Sequence, residues 1–224
     1  AIDRVFTVRG RGTVVTGTLR GASIATGDVL RVVPGAPDAR VRVREVQVHG
    51  HTRSPATPGR VALNVAAGDA AEYLQRGTVL TTDPSVVATD RLLVALRPVA
   101  PVPPAGGPDG RRRAPVGLPA DRSPVTVHIG TAHVPAVVGR SGREAVDLPN
   151  GEVASVLRLE RPIAAAAGDR FALRRPSPGL PVGAGRLDLV GIGVDHLERV
   201  AGQRHIGPRR RGPEVRDAVI VHLQ

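Results

Sequence analysis

The chain is 224 residues long, with 21 Pro and 27 Gly, and carries a formal net charge of +11; all 31 of its basic residues are arginine. Because it holds neither Lys nor Cys, its sequence excludes a phosphate-binding loop ending in Gly-Lys-Ser/Thr, an Asn-Lys-x-Asp guanine reader, a Schiff-base lysine, disulfides and thiolate metal sites. Phe6, Tyr73 and Phe171 are its only Phe, Tyr or Trp residues, so the expected cores are Val, Leu, Ile and Ala packed in β-barrels, and the length suits two such domains.

From the N-terminus, short β-branched runs separated by Gly predict strands over 5–8, 13–19, Val29–Val33, Arg40–Val48, 60–65 and 78–82. Gly10-Arg11-Gly12 supplies the positive φ that a hairpin connection requires. Strict alternation splits Arg40–Val48 into Val41, Val43, Glu45 and Gln47 on one face and Arg42, Arg44, Val46 and Val48 on the other. Neither face is purely apolar. A glycine leading straight into a strand recurs at Gly27, Gly59, Gly77 and Gly168. The absence of Met and the strand-like opening Ile2-Asp3-Arg4-Val5-Phe6 lead us to expect a sequence that begins mid-protein.

A strand over 92–96 precedes residues 98–122, where Pro98, Pro101, Pro103, Pro104, Pro108 and Arg111-Arg112-Arg113 predict a flexible loop inserted in the second barrel. The basic triplet reads as a solvated loop tip, with RNA contact as the alternative. Strands resume over 125–129, 136–138, 153–159, 170–173 and 185–190. Residues 195–200 predict a short helix, 209–213 a linker, and 214–224 is amphipathic whether helical or extended. The expected division is therefore a barrel over 1–85, a second over 86–191, and a tail or linker over 192–224.

Ile2-Asp3-Arg4-Val5-Phe6 followed by Gly10-Arg11-Gly12-Thr13-Val14-Val15-Thr16-Gly17-Thr18-Leu19 resembles the opening of domain two in elongation-factor-Tu-type translation GTPases. The likeness runs on through Ser23–Asp28 and 58–63 to Arg76-Gly77-Thr78-Val79-Leu80. Arg161-Pro162-Ile163, 168–174 and 182–187 are similar to the end of domain three, while 46–50 and 171–178 resemble the selenocysteine-specific branch, SelB. The resemblance implies an all-β chain of two consecutive Greek-key barrels with a short irregular or helical tail. It implies that such a chain grips selenocysteinyl-tRNA for delivery to the ribosome. GTP and Mg are then expected only in a GTPase domain of the same protein, with no cofactor in these residues. Two features depart from the family pattern: the insertion at 98–122, and a tail from Gly191 that does not read as mRNA-gripping winged helices.

The resemblance places the selenocysteinyl pocket on Asp3, Arg4 and Arg60. A selenol is more acidic than a thiol, whose reference pKa is about 8.5, so it is largely anionic at neutral pH. Guanidinium groups suit that anion, and Asp3 suits the ammonium of the esterified residue. Taken without the resemblance, Asp3 and an arginine make an ordinary strand-end ion pair. Gln47 and His49 fall where the general factor places residues beside the terminal adenosine and amino acid; a polar edge-strand pair is the equal alternative. His49-x-His51 has the spacing of two metal ligands on one strand face, but with no neighbouring carboxylate or thiolate no metal is expected. His128 and His133 read as structural. Arg174 and Arg175 read either as contacts to tRNA phosphates or as surface charge.

The net charge points to an anionic partner, nucleic acid first, although arginine-for-lysine bias in a GC-rich genome also raises the count. No catalytic constellation is visible, which disfavours a free-standing hydrolase. The competing reading is a basic barrel of another translation GTPase, or an RNA or ribosome scaffold without amino-acid recognition. With no apolar run of about 20 residues and no signal-peptide pattern, a cytoplasmic location is expected, without membrane or DNA partners.

Overall fold

The computed structural model describes residues 1–98, 118–120, 122–139, 146–147, 152–176, 181–190 and 219–221. The predicted basic triplet at 111–113, the helix expected over 195–200 and the linker at 209–213 lie outside these residues. The described chain is all-β, apart from one 3-10 helix over Gly68–Tyr73. Its first set of strands is β1 (Ile2–Val8), β2 (Gly12–Gly21), β3 (Val29–Val33), β4 (Arg40–Val48), β5 (His51–Thr52), β6 (Gly59–Ala66) and β7 (Val79–Thr81). The second is β8 (Val87–Arg97), β9 (Pro124–Ile129), β10 (Ala132–Val138), β11 (Val146–Asp147), β12 (Val153–Ala165), β13 (Arg170–Arg174) and β14 (Pro181–Val190). β15 (Val219–Val221) follows.

Each sheet closes on itself. In the first, antiparallel pairing runs β2, β6, β4, β3, β7, β15 and back to β2, with β1 added beyond β2 and β5 beyond β4. In the second it runs β10, β9, β13, β14, β8, β12 and back to β10, with β11 on β12. Closure removes exposed edges, and alternation then sends every second residue inward. Along β10, Ala132, Val134, Ala136 and Val138 are buried while His133, Pro135 and Val137 are exposed. The segment 214–224, amphipathic in either conformation, is extended at 219–221, where it lies between β2 and β7.

The cores follow the composition. Val15, Leu19, Leu30, Val41, Val43, Val46, Leu63 and Val65 fill the first barrel, and Leu92, Val94, Val127, Val134, Leu157, Ile163, Phe171 and Leu173 the second. Strict alternation does not hold along β4. A bulge interrupts its pairing with β6 between Val43 and Glu45, so Val41, Val43 and Val46 are all buried while Arg40, Arg42 and Arg44 are all exposed. The extra residue changes which parity faces inward, which is why neither face looked apolar in sequence.

Two turns share one design. Gly27 and Gly168 have φ of 97° and 92°, and in each turn the following aspartate accepts a hydrogen bond from the amide that opens it: Ala25 N–H to Asp28 at 2.8 Å and Ala166 N–H to Asp169 at 2.9 Å. The barrels also meet. Ala1, Val33, Val79, Val86, Ala164 and Ala166 form a small apolar seam. The Thr131 hydroxyl donates to the Ile2 carbonyl at 2.7 Å, and Arg76 Nε donates to the Thr131 carbonyl at 3.3 Å. The linker is pinned by Arg31, whose Nη2 donates to the carbonyls of Asp83 at 2.6 Å and Val86 at 3.0 Å.

Gly77 sits at this seam with φ 94°, and a β-carbon there would stand 3.0 Å from the Ala132 β-carbon. Gly168 has nearly the same φ, with nothing within 4 Å. Substituting Ala at either position meets the same backbone strain, but only Gly77→Ala presses one barrel against the other. Gly77→Ala should therefore lower unfolding stability by about 1–3 kcal/mol more than Gly168→Ala. Urea melts of the two variants check this, and equal losses contradict the close approach.

Candidate functional site

The candidate site is assembled by lateral register. Arg4 pairs with Thr16, Thr16 with Ala62, and Ala62 with Gln47. Directly paired residues project to one face, so β1, β2, β6 and β4 set these four side chains in a row on the outside of the first barrel. Thr18 pairs with Arg60 one step along the same face. Register shifts between Ile2 and Arg4, leaving Asp3 as the extra residue of a bulge. Bulges re-aim a side chain, and here the Asp3 carboxylate meets Arg60.

Arg60 Nη2 donates to Asp3 Oδ2 at 2.5 Å, and Arg4 Nε stands 3.8 Å from the same oxygen. The Asp3 side chain is 17% exposed, against 68% for Arg4 and 51% for Arg60. The hydrogen bond from Arg60 holds the Asp3 carboxyl below the usual carboxylate range; burial opposes this, and the charges of Arg60, Arg4 and Arg76 add to it. One carboxylate thus faces two guanidinium groups, and the cluster keeps a net positive charge.

Beside it lies an open depression of about 300 Å³ lined by Thr16, Gln47, His49, Gly50, Arg60, Val61 and Ala62. A second, of about 390 Å³, shares His49 and Arg60 and continues past His51, Arg53 and the 55–59 loop. His49 and Gly50 have φ of 51° and 81° and join Val48 to His51, as in the two-residue turns that close β-hairpins. That turn removes the premise of a His49-x-His51 pair on one strand face. Among the described residues no group of three or more His, Cys, Asp or Glu side chains comes together as metal ligands do. Gln47 is oriented by Glu45, whose Oε1 accepts from Gln47 Nε2 at 2.9 Å and from the Thr52 hydroxyl at 2.7 Å. These two hydrogen bonds, Gln47 first, lower the Glu45 pKa.

Sequence reasoning passed over Thr16. Its Oγ1 is buried without a hydrogen-bond partner, although the residue lines the depression. Such an orphaned hydroxyl is costly unless something else satisfies it. The register of β2 was the available signal, since pairing Arg4 with Thr16 puts that hydroxyl in the site. Arg174 and Arg175 are exposed on the second barrel, at and just beyond the end of β13, and take no part in the Asp3 cluster. Near Arg174, His128 stacks on His133 with ring centroids 6.0 Å apart. Burial, then the charges of Arg174 and His133, push the His128 pKa down.

The described chain is thus all-β, two closed barrels with an arginine-bearing site on the outside of the first. A crystal structure of translation elongation factor SelB from Methanococcus maripaludis in its apo form superposes with a TM-score of 0.66 over 85% of this chain and 41% of that chain, at 22% identity. In sequence the chain is 30% identical over 187 residues to the selenocysteine-specific elongation factor of Desulfomicrobium baculatum, covering 83% of this chain and 27% of that protein. It is 26% identical over 225 residues to the one from Escherichia coli K12, covering 100% of this chain and 32% of that protein. The chain is a relative of the selenocysteine-specific elongation factors, and it spans about a third or less of the length of the relatives it matches. No family model matches it. Among the described residues no helix is long and apolar enough to cross a membrane.

The ion pair makes a titration prediction. A carboxylate whose pKa is depressed contributes stability above its unfolded pKa, and that contribution is lost as pH falls through the folded value. The NMR titration midpoint of Asp3 should lie below that of an unperturbed aspartate, about 3.9, and Arg60→Asn should move it upward. A midpoint at the reference value, unmoved by the substitution, would show that Arg60 does not hold the carboxylate.

Proposed function

We propose that this chain is the tRNA-gripping part of a selenocysteine-specific elongation factor. In this reading the first barrel holds the selenocysteinyl end of the tRNA. The second barrel meets the tRNA body through phosphate contacts that include Arg174 and Arg175. A GTPase domain of the same protein, with GTP and Mg, governs delivery to the ribosome in the cytoplasm. The observation that supports it best is the charge count at Asp3: one carboxylate between two exposed guanidinium groups, beside a depression whose Thr16 hydroxyl has no partner.

The esterified residue brings an ammonium and a selenolate, one charge of each sign. The ammonium takes Asp3, as Arg60 did before it. Arg60 and Arg4 then turn to the selenolate. The exchange keeps the charge of the site constant and replaces one surface ion pair with two ligand contacts. Gln47, fixed by Glu45, and His49 at the hairpin turn border the place left for the terminal adenosine. A seryl group supplies the ammonium but no anion, so it satisfies only half of the cluster.

The test is the ratio of two affinities, measured on the longer protein that includes the GTPase domain. Arg60→Asn removes a charge-assisted contact worth about 1.5–3 kcal/mol. Binding of selenocysteinyl-tRNA should weaken by roughly ten- to a hundredfold, and that of seryl-tRNA with the same tRNA body much less. Taking the ratio cancels any general loss of RNA attraction. A folded variant that weakens both ligands equally makes Arg60 a phosphate or structural residue, as the basic-scaffold reading requires.

A further inference from the structure

Thr131 belongs to the second barrel, yet it touches the first where the charge cluster begins. It is the second residue of the Gly130-Thr131 turn, which joins the paired residues Ile129 and Ala132 at the end of the β9–β10 hairpin. Ile129 and Ala132 are members of the second core, so that core fixes where the turn projects. The buried Thr131 hydroxyl donates to the Ile2 carbonyl at 2.7 Å, and the Gly77 amide donates to the same oxygen at 3.0 Å. A carbonyl oxygen has two lone pairs, and here each barrel supplies a donor to one oxygen.

The Ile2 carbonyl and the Asp3 amide are two ends of one rigid peptide plane. Holding that oxygen therefore resists the rotation that would swing Asp3 within its bulge. The bulge needs such a hold, because Ile2 pairs with Gly17 and Arg4 with Thr16, leaving Asp3 without a partner of its own on β2. A second path runs through Arg76. Its Nε donates to the Thr131 carbonyl at 3.3 Å, and its charge joins those of Arg60 and Arg4 in favouring the Asp3 carboxylate. One turn residue thus holds both the peptide that aims Asp3 and a cation that acts on it.

We propose that Thr131 is a positioning residue for the Asp3–Arg60 pair, through which the fit of the second barrel regulates the aminoacyl site of the first. The positioning role stands on the contacts above, and its consequence for a ligand rests on the function proposed for that site. If the turn withdraws, the Ile2 oxygen loses one donor, the Asp3 peptide gains freedom, and the carboxylate is held less firmly against Arg60. Coupling of this kind is reciprocal: a ligand that needs Asp3 in place favours the closed seam. A contact that only glued the barrels together would leave Asp3 unaffected.

The test compares Thr131→Val, which keeps the shape and removes the hydroxyl, with Thr131→Ser, which keeps the hydroxyl, both in the full chain. In NMR titrations Thr131→Val should raise the Asp3 midpoint, and Thr131→Ser should leave it near that of the unaltered chain. Val86→Ala, which trims the apolar part of the seam, should lower stability and leave the midpoint in place. A midpoint unmoved by Thr131→Val, or moved as far by Val86→Ala, overturns the positioning role.

In the longer protein that includes the GTPase domain, Thr131→Val should weaken selenocysteinyl-tRNA and seryl-tRNA alike, by roughly two- to thirtyfold. Both carry the ammonium that takes Asp3, whereas Arg60→Asn changes their ratio. The deacylated tRNA should bind as before; an equal loss for it would place the effect on the tRNA body and overturn the coupling. If Arg60→Asn leaves the ratio unchanged while Thr131→Val still moves the Asp3 midpoint, the selenolate reading fails and the positioning role stands.

Discussion

The register of β2 governs the outer face of the first barrel. β2 pairs with β6 on one side and with β1 and then β15 on the other, so its register fixes what stands beside it on three strands. A slip of one residue would carry Arg4 away from Thr16 and turn Val15 and Leu19 outward, because side chains alternate with a period of two. Burial of Val15, Leu19, Leu63 and Val65 therefore fixes the register, and the register places Arg4, Thr16, Ala62 and Gln47 in one row. The polar site is set by the apolar face behind it.

The Asp3–Arg60 pair is suited to exchange. Exposed ion pairs contribute roughly 0.2–1 kcal/mol, and with Arg60 half exposed this pair belongs near that class. A ligand that offers an ammonium to Asp3 and an anion to the arginines has little to overcome. Placing Asp3 in a bulge serves the same end: lying between buried Ile2 and exposed Arg4 with no partner of its own on β2, its side chain is free to meet Arg60. Arginine has a further advantage over lysine at such a site, since its planar fork keeps direction when one partner is traded for another.

Most strands of this chain were legible because Gly and Pro punctuate Val-rich runs, and the turns at Gly10-Arg11-Gly12, Gly27 and Gly168 are where those glycines placed them. What escaped depends on contacts distant in sequence. Alternation along Arg40–Val48 failed at the bulge before Glu45, since a bulge is a relation between two strands and leaves no mark in one. The segment 214–224 stayed ambiguous because an amphipathic run takes its conformation from its surroundings; its described residues, 219–221, are strand between β2 and β7. His49 read as a strand residue until the φ of 51° put it in the turn. Asp3, Arg4 and Arg60 came from resemblance to a family, and the geometry adds what the resemblance lacked: which arginine donates to Asp3, and that a buried Thr16 hydroxyl is left unsatisfied beside them.

The seam between the barrels explains how two small, aromatic-poor cores can hold a fixed relation. Its apolar members are Ala and Val, which bury little area each but let the backbones come close, as at Gly77 and Ala132. Its hydrogen bonds run from side chains to backbone carbonyls: Thr131 to Ile2, Arg76 to Thr131, Arg31 to Asp83 and Val86. A backbone carbonyl cannot swing away as a surface carboxylate can, so each bond ties a side chain to the main chain, in β1 at Ile2, in the β9–β10 turn at Thr131 and in the linker at Asp83 and Val86, rather than to another mobile group. The linker is stiffened in the same way, with Ser85 N–H donating to Asp83 Oδ1 at 2.8 Å and Asp83 N–H to the Thr81 hydroxyl at 2.9 Å. Ile2 is where these constraints meet. Its carbonyl accepts from Thr131 of the second barrel and from the Gly77 amide, and the next residue is Asp3. The bulge that aims the Asp3 carboxylate is thus anchored from behind by the second barrel, and a disturbance of the seam should reach the charge cluster through one peptide unit.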